Sequence, residues 1–146
     1  MPQLIFLLSL ACSLFMSGVI WIVQVVHYPL FARVGPAYFM QYEQAHTRLI
    51  SWVVMPAMLL ELATAVLLVF WRPVWFSRSL SLLALALVLG VWAVTFFVSV
   101  PQHARLSEGF DAPAHALLVS SNWWRTLGWS LRSLLLLAVV WPVLKP

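Results

Sequence analysis

The chain has 146 residues, of which 64% are hydrophobic and 8% charged, with a formal net charge of +4 at pH 7. A soluble domain carries roughly a quarter charged residues, so eight Lys/Arg and four Asp/Glu are too few to cover a water-facing surface. The same composition excludes a disordered chain, and the single cysteine excludes a disulfide scaffold or an internal redox pair. No basic face is long enough to follow the phosphates of a nucleic acid. The composition indicates an integral membrane protein whose partner is the lipid bilayer.

Four apolar runs follow one another, at about residues 4–26, 49–71, 79–100 and 123–144. Each has the roughly 20 residues that a helix needs to cross the hydrocarbon core of a bilayer. They predict an all-α fold with one domain over residues 1–146, an antiparallel up-down four-helix transmembrane bundle. Strands of a membrane barrel would be shorter and alternate in polarity, and no segment here has that pattern.

The connections between the runs are unequal. Residues 72–78 form a short connection, and Pro73 ends the second span there. In the first long connection, Gly35-Pro36 predicts the start of a helix that runs into the second span. In the other long connection, residues 114–121 predict a short interfacial helix before the fourth span.

The orientation depends on where Lys and Arg lie. Arg72, Arg78 and Lys145 fall on the side of the N-terminus, against four arginines on the opposite side. The count is nearly balanced, but two arginines within the short connection favour cytoplasmic termini under the positive-inside rule. We therefore expect a multi-pass protein of the inner (cytoplasmic) membrane with both termini in the cytoplasm.

Two charged residues fall deep within the spans. Glu61 lies about 12 residues into the second span and Arg132 about 9 into the fourth, counted from one membrane face. At 1.5 Å per residue these depths differ by roughly 4–5 Å, a gap that an arginine side chain can cover. We predict an ion pair between them inside the bundle. The pair either fixes the helix register or contributes a catalytic Glu61.

All four histidines belong to one membrane side. His27 ends the first span, His46 precedes the second and His103 follows the third. We expect His115 to be a solvated loop residue. The other three, together with Glu61, are the predicted catalytic residues, and in this interpretation the histidines act as a general base or hold a metal.

Helical spacing groups further polar residues with these histidines. Glu43 and His46 form a Glu-x-x-His step, a recurrent piece of metal sites in helical bundles. The predicted metal ligands are His27, Glu43, His46 and His103, a mixed nitrogen and oxygen set that suits iron, copper, zinc or manganese. A b-type haem held by two histidines, such as His27 and His103, is an alternative. A further alternative is that the histidines form hydrogen bonds to neighbouring polar side chains.

The remaining polar residues near this interface suit substrate binding. Arg48 and Arg125 either receive an anionic group or anchor the helices at the lipid headgroups. Thr95, Ser99 and His103 repeat every four residues and predict a polar stripe on the third span. The predicted substrate-binding residues are Gln24, Tyr28, Arg48, Asn122, Arg125 and Arg132.

Short segments spread along the chain carry a resemblance to known proteins. They are Gln24–Phe31, His46-Thr-Arg48 followed by Pro56 and Glu61, Pro101-Gln-His103, and Asn122-Trp-Trp-Arg125 with Arg132. In these the chain resembles uncharacterised bacterial four-span membrane proteins and, more distantly, is similar to the anthrone-oxygenase-like membrane family. The resemblance implies a cofactor-light oxygenase or a metal-assisted oxidation of a lipophilic substrate.

The sequence thus supports two hypotheses of different kinds. The first is a membrane-embedded oxidoreductase, or a protein that binds a transition metal or haem, acting on a lipophilic or amphipathic small molecule. The second is a non-catalytic accessory subunit or small-molecule-binding protein whose polar core fixes the helix register. Either kind of protein can work as a homo-oligomer or within a larger membrane complex.

Overall fold

The computed structural model describes residues 1–144, which contain helices and no strand. Four long helical segments follow one another: α1 (Pro2–Phe31), α2 (Pro36–Phe70), α3 (Arg78–Leu106) and α4 (Ala112–Val140). A short 3-10 turn follows at Trp141–Leu144. Four helices are long and apolar enough to span a membrane, as expected of a multi-pass membrane protein. Lys145, used above to predict the orientation, lies outside the described residues.

The helix starts follow from local capping chemistry. Pro36 lies in the first turn of α2, so the helix predicted to run from there into the second span is confirmed. The Ser77 hydroxyl accepts a hydrogen bond from the backbone N–H of Leu80 at the start of α3. The Asp111 carboxylate does the same for Ala114 at the start of α4, at 2.9 Å.

The separate interfacial helix predicted before the fourth span was wrong. Residues 114–121 are helical, but they are the first turns of α4, which continues without a break to Val140. The Asp111 cap and Pro113 in the first turn start the helix early, and neither Pro nor Gly occurs between Ala114 and Arg125 to end it.

The four helices form a closed ring in which each packs against two others. Gln24 contacts Asn122 near one end of the bundle, and Ser13 contacts Ser133 further along, so α1 and α4 run antiparallel. One apolar core lies at the end that holds the histidines and includes Phe31. A second lies at the opposite end around Phe6.

Both α1 and α3 widen into a π-helical segment near the histidines. These segments are Val23–His27 and Thr95–Ser99, and each is followed two residues later by a proline, Pro29 or Pro101. Proline has no backbone N–H for an α-helical bond, so the widened turn accommodates it without ending the helix. Both π segments therefore change the direction of side chains at the end of the bundle where the polar residues gather.

Candidate functional site

A chain of hydrogen bonds joins three helices at this end of the bundle. The Nδ1 atom of His103 lies 2.5 Å from Oε1 of Glu43, and its Nε2 atom lies 2.9 Å from the Tyr28 hydroxyl. A carboxylate only accepts, so Nδ1 carries the proton and Nε2 accepts from the hydroxyl. Glu43 is 0% exposed, and its second oxygen has no partner among the described residues. The imidazole is thus fixed in one tautomer between a carboxylate and a phenol.

His27 and His46 form a second pair beside this chain. Nε2 of His27 and Nδ1 of His46 are 2.8 Å apart, so one ring donates to the other. The ring centroids of His46 and His103 are 5.6 Å apart, which brings the three predicted catalytic histidines into one cluster.

His115 also belongs to the cluster, so the prediction of a solvated loop residue was wrong. It lies in the first turn of α4, half-buried, and its Nε2 atom donates to the Tyr28 carbonyl at 2.7 Å. The Asp111 cap is the reason, because it starts the helix before His115 and turns the ring inward. The ring stacks on Phe31, whose fully buried side chain also contacts the other three histidines.

A third set of polar side chains positions Arg125. Gln24 donates to the Val119 carbonyl at 3.2 Å and accepts from the Asn122 amide at 2.9 Å. The Asn122 oxygen in turn accepts from Nη1 of Arg125 at 3.0 Å. All three predicted substrate-binding residues in this set are buried, and the arginine is only 7% exposed.

Some of these polar side chains line a cavity of about 380 Å³ that is formed mainly by α1, α2 and α3, with Arg125 from α4. Its polar wall contains Tyr28, His46, Ser99, His103 and Arg125, and the predicted stripe from Thr95 to His103 lines it. The rest of the wall is mainly apolar and includes Met16, Ile20, Val54 and Met58. A mostly apolar cavity with a few convergent polar groups is the usual form of a small-molecule site.

A second, more open groove of about 610 Å³ lies between α1 and α2. His27 and Tyr42 line it, and the remaining lining residues are almost all aliphatic. His46 lines both the groove and the cavity, so this ring stands between the two spaces.

The four predicted metal ligands lie close together, but they form hydrogen bonds to one another or to Tyr28. Both nitrogens of His103 are engaged, and the bond between His27 and His46 uses one nitrogen of each ring. Residues 1–144 contain no group of three or more His, Cys, Asp or Glu side chains arranged to hold a metal ion. The geometry favours hydrogen-bonding roles, and the metal and haem sites stay predictions.

The predicted pair of Glu61 and Arg132 is confirmed as an ion pair. Nη1 of Arg132 lies 2.8 Å from Oε1 of Glu61, and both side chains are buried. The indole of Trp129 donates to the other carboxylate oxygen at 2.8 Å. Ser9 and the Ala84 carbonyl accept further bonds from the guanidinium. Neither charged residue lines the cavity or the groove, so these contacts support the register role over catalysis by Glu61 or substrate binding by Arg132.

Arg48 stands apart from the other predicted binding residues. Its side chain is exposed and lines neither space. Helical geometry explains this, since Arg48 is two residues from His46 and so points to a different side of α2.

Neither Phe31 nor Trp129 is among the site residues predicted from the sequence. Phe31 lies four residues after His27, a spacing that indicates a shared helix face. Trp129 lies four residues after Arg125, and its ring centroid is 5.3 Å from the guanidinium carbon. Only the three-dimensional packing shows that this tryptophan links Arg125 to Glu61.

Comparison of the chain with protein-family models, curated protein sequences and solved structures found no match.

Proposed function

We propose that the protein is a membrane-embedded enzyme that binds a lipophilic or amphipathic small molecule in the cavity and exchanges a proton with it. The observation that carries this proposal is the imidazole of His103, held between Glu43 and the Tyr28 hydroxyl in the cavity wall. An imidazole oriented by a carboxylate on its other nitrogen is a general base whose protonated form the carboxylate stabilises.

The chemistry at His103 follows from its two hydrogen bonds. Nε2 takes a proton from the substrate, directly or through the Tyr28 hydroxyl, and the ring becomes an imidazolium beside Glu43. Because Glu43 is buried, its charge acts on the ring with little screening by water. Both the oxidation predicted from the sequence and an isomerisation include the removal of a proton from the substrate. The geometry supports this acid–base step, and oxidation remains the hypothesis drawn from the sequence.

Deuterium exchange tests the acid–base step without knowledge of the natural substrate. The purified protein in lipid nanodiscs is incubated with a long-chain methyl ketone in deuterated water, and deuterium uptake next to the carbonyl is measured by mass spectrometry. We expect faster uptake than in protein-free nanodiscs, and loss of that acceleration in His103→Gln. Arg48→Gln, which changes an exposed residue outside both spaces, is the matched control. Equal uptake with wild type and His103→Gln would contradict the proposal.

Metal and haem binding are tested separately on the same preparation. Elemental analysis and an absorption spectrum of the protein as purified give the metal content and any Soret band. A stoichiometric metal or haem that is lost in His103→Gln would replace the general-base role of this histidine with a ligand role.

The cluster around Glu61 favours a second, structural role for the polar core. All polar atoms of the ion pair have partners, and the pair lies outside the cavity. Fixing the helix register is the best-attested use of such a buried pair, and it is the role that we propose for Glu61 and Arg132. If the exchange assay is negative, the accessory-subunit hypothesis is the one that this cluster supports.

We also propose an inner-membrane location with cytoplasmic termini, for which Arg72 and Arg78 in the short connection are the support. Reporter fusions at the N-terminus and at residue 75 test the orientation, because the proposal requires both to be cytoplasmic.

A further inference from the structure

We infer that the cavity takes a lipophilic carboxylate whose head group pairs with Arg125. This inference rests on the small-molecule pocket proposed above and assigns the chemical class of its ligand. Arg125 lines the cavity, is buried, and carries a positive charge close to the Glu43–His103–Tyr28 chain.

The charge of Arg125 has no acidic partner among the residues described. The chain has only four acidic side chains, and all four lie within the described range. Each is placed elsewhere: Glu43 pairs with His103, Glu61 pairs with Arg132, Asp111 caps α4, and Glu108 is exposed. A buried cation is costly unless it is paired, so an anion from outside the chain is expected beside it.

The guanidinium is also oriented to receive such an anion. Its Nη1 atom is fixed by Asn122, which Gln24 holds in turn, while Nε has no hydrogen-bond partner. Nε shares one edge of the guanidinium with Nη2, whereas Asn122 contacts the group at Nη1. Two parallel N–H groups on one edge match the two oxygens of a carboxylate.

Other groups in the cavity wall suit the head group and the hydrocarbon chain of such a molecule. The buried Ser99 hydroxyl lines the cavity and has no hydrogen-bond partner, so it can donate to a head-group oxygen. Met16, Ile20, Val54 and Met58 supply an apolar wall for a hydrocarbon chain. Head and chain together define an amphipathic acid.

Binding of matched ten-carbon probes tests the inference. Saturable binding of decanoate, decanol and decyl phosphate is measured by competition with a fluorescent lipophilic probe on the protein in nanodiscs. We expect decanoate to bind at least about tenfold more tightly than decanol, the difference that one charge-assisted pair supplies. Decyl phosphate separates a phosphate head group from a carboxylate, and tighter binding of the phosphate would overturn the assignment.

Variants then locate the preference at Arg125. Arg125→Gln should bring the affinity for decanoate down to that for decanol, whereas Arg125→Lys keeps the charge and should retain part of the preference. Arg48→Gln should behave as the wild type. Equal binding of decanoate and decanol by the wild type would overturn the carboxylate and leave the pocket in place. Absence of saturable binding of every probe would overturn the pocket as well. The comparison of decanoate with decanol on the wild-type protein tests the preference for a carboxylate even if Arg125→Gln does not fold.

Discussion

His103 and Glu43 lie 60 residues apart in the chain, and their Nδ1 and Oε1 atoms are 2.5 Å apart. The carboxylate comes from the second turn of a long helix, where the solvent does not reach it. This contact fixes the tautomer of the imidazole and leaves Nε2 as the acceptor beside the cavity. The first prediction follows from it.

Glu43→Gln should lower the rate of deuterium exchange catalysed by the protein by about 10²-fold, the lower end of the range for general acid–base catalysis. The amide oxygen can still accept the bond from Nδ1, so the ring stays oriented, but the charge that stabilises the imidazolium is lost. The measurement is the initial rate of deuterium uptake by the methyl ketone in nanodiscs.

Glu108→Gln is the control for that experiment, since it removes an exposed carboxylate. It should leave the rate unchanged. A rate in Glu43→Gln equal to that of the wild type would show that the carboxylate has no part in proton transfer.

The ion pair of Glu61 and Arg132 leads to a prediction on stability. Glu61→Leu should lower the free energy of unfolding by about 3–5 kcal/mol, because it leaves the buried guanidinium without its counter-charge. The double variant Glu61→Leu/Arg132→Met removes both charges and should regain most of that loss. Both values come from reversible unfolding in mixed micelles.

The same variants separate structure from catalysis. The double variant, once folded, should keep the exchange activity, since neither residue lines the cavity. A folded double variant without activity would return Glu61 to the catalytic residues predicted from the sequence.

The sequence predicts the bundle well because apolar length is a strong signal for a spanning helix. It also predicts the pair of Glu61 and Arg132, since their depths in the bundle differ by only roughly 4–5 Å and the long arginine side chain reaches across the centre between α2 and α4. The short interfacial helix was wrong because the Asp111 cap extends α4 toward its N-terminus, a local effect that hydropathy does not report.

Within the site, the sequence predicts which residues gather but not how they pair. Glu43 and His46 share the Glu-x-x-His spacing, yet Glu43 bonds to His103 from another helix, and His46 bonds to His27. The π segments that precede Pro29 and Pro101 change the direction of side chains on α1 and α3. Such a local change of helical twist alters partners across helices, and a regular 3.6-residue period does not predict it.

Trp129 connects the ion pair to Arg125, and its two contacts can be separated by substitution. Trp129→Phe removes the N–H that bonds to Glu61 and should cost about 1–3 kcal/mol of unfolding free energy, because a buried carboxylate oxygen loses its partner. The phenyl ring still faces the guanidinium, so the preference for decanoate over decanol should persist.

Trp129→Leu removes the aromatic face as well and should lower this preference together with stability. Unfolding in micelles and the decanoate competition assay measure the two effects. An unchanged preference in Trp129→Leu would show that the aromatic ring does not position Arg125.

The close approach of α3 and α4 at Gly128 gives the last prediction. A Cβ atom at this position would lie 2.7 Å from a methyl group of Val91, a distance that real Cβ atoms essentially never show. Gly128→Ala should therefore lower the free energy of unfolding by about 1–3 kcal/mol, the usual cost of overpacking a filled core. The change is measured by unfolding in mixed micelles.

Gly90→Ala is the matched control, because a Cβ atom there meets nothing within 4 Å. It should be neutral or slightly stabilising, since alanine is the better helix former. Val91→Ala in the Gly128→Ala background removes the opposing methyl groups and should restore part of the lost stability. Equal effects of Gly128→Ala and Gly90→Ala would contradict a tight contact between α3 and α4 at this point.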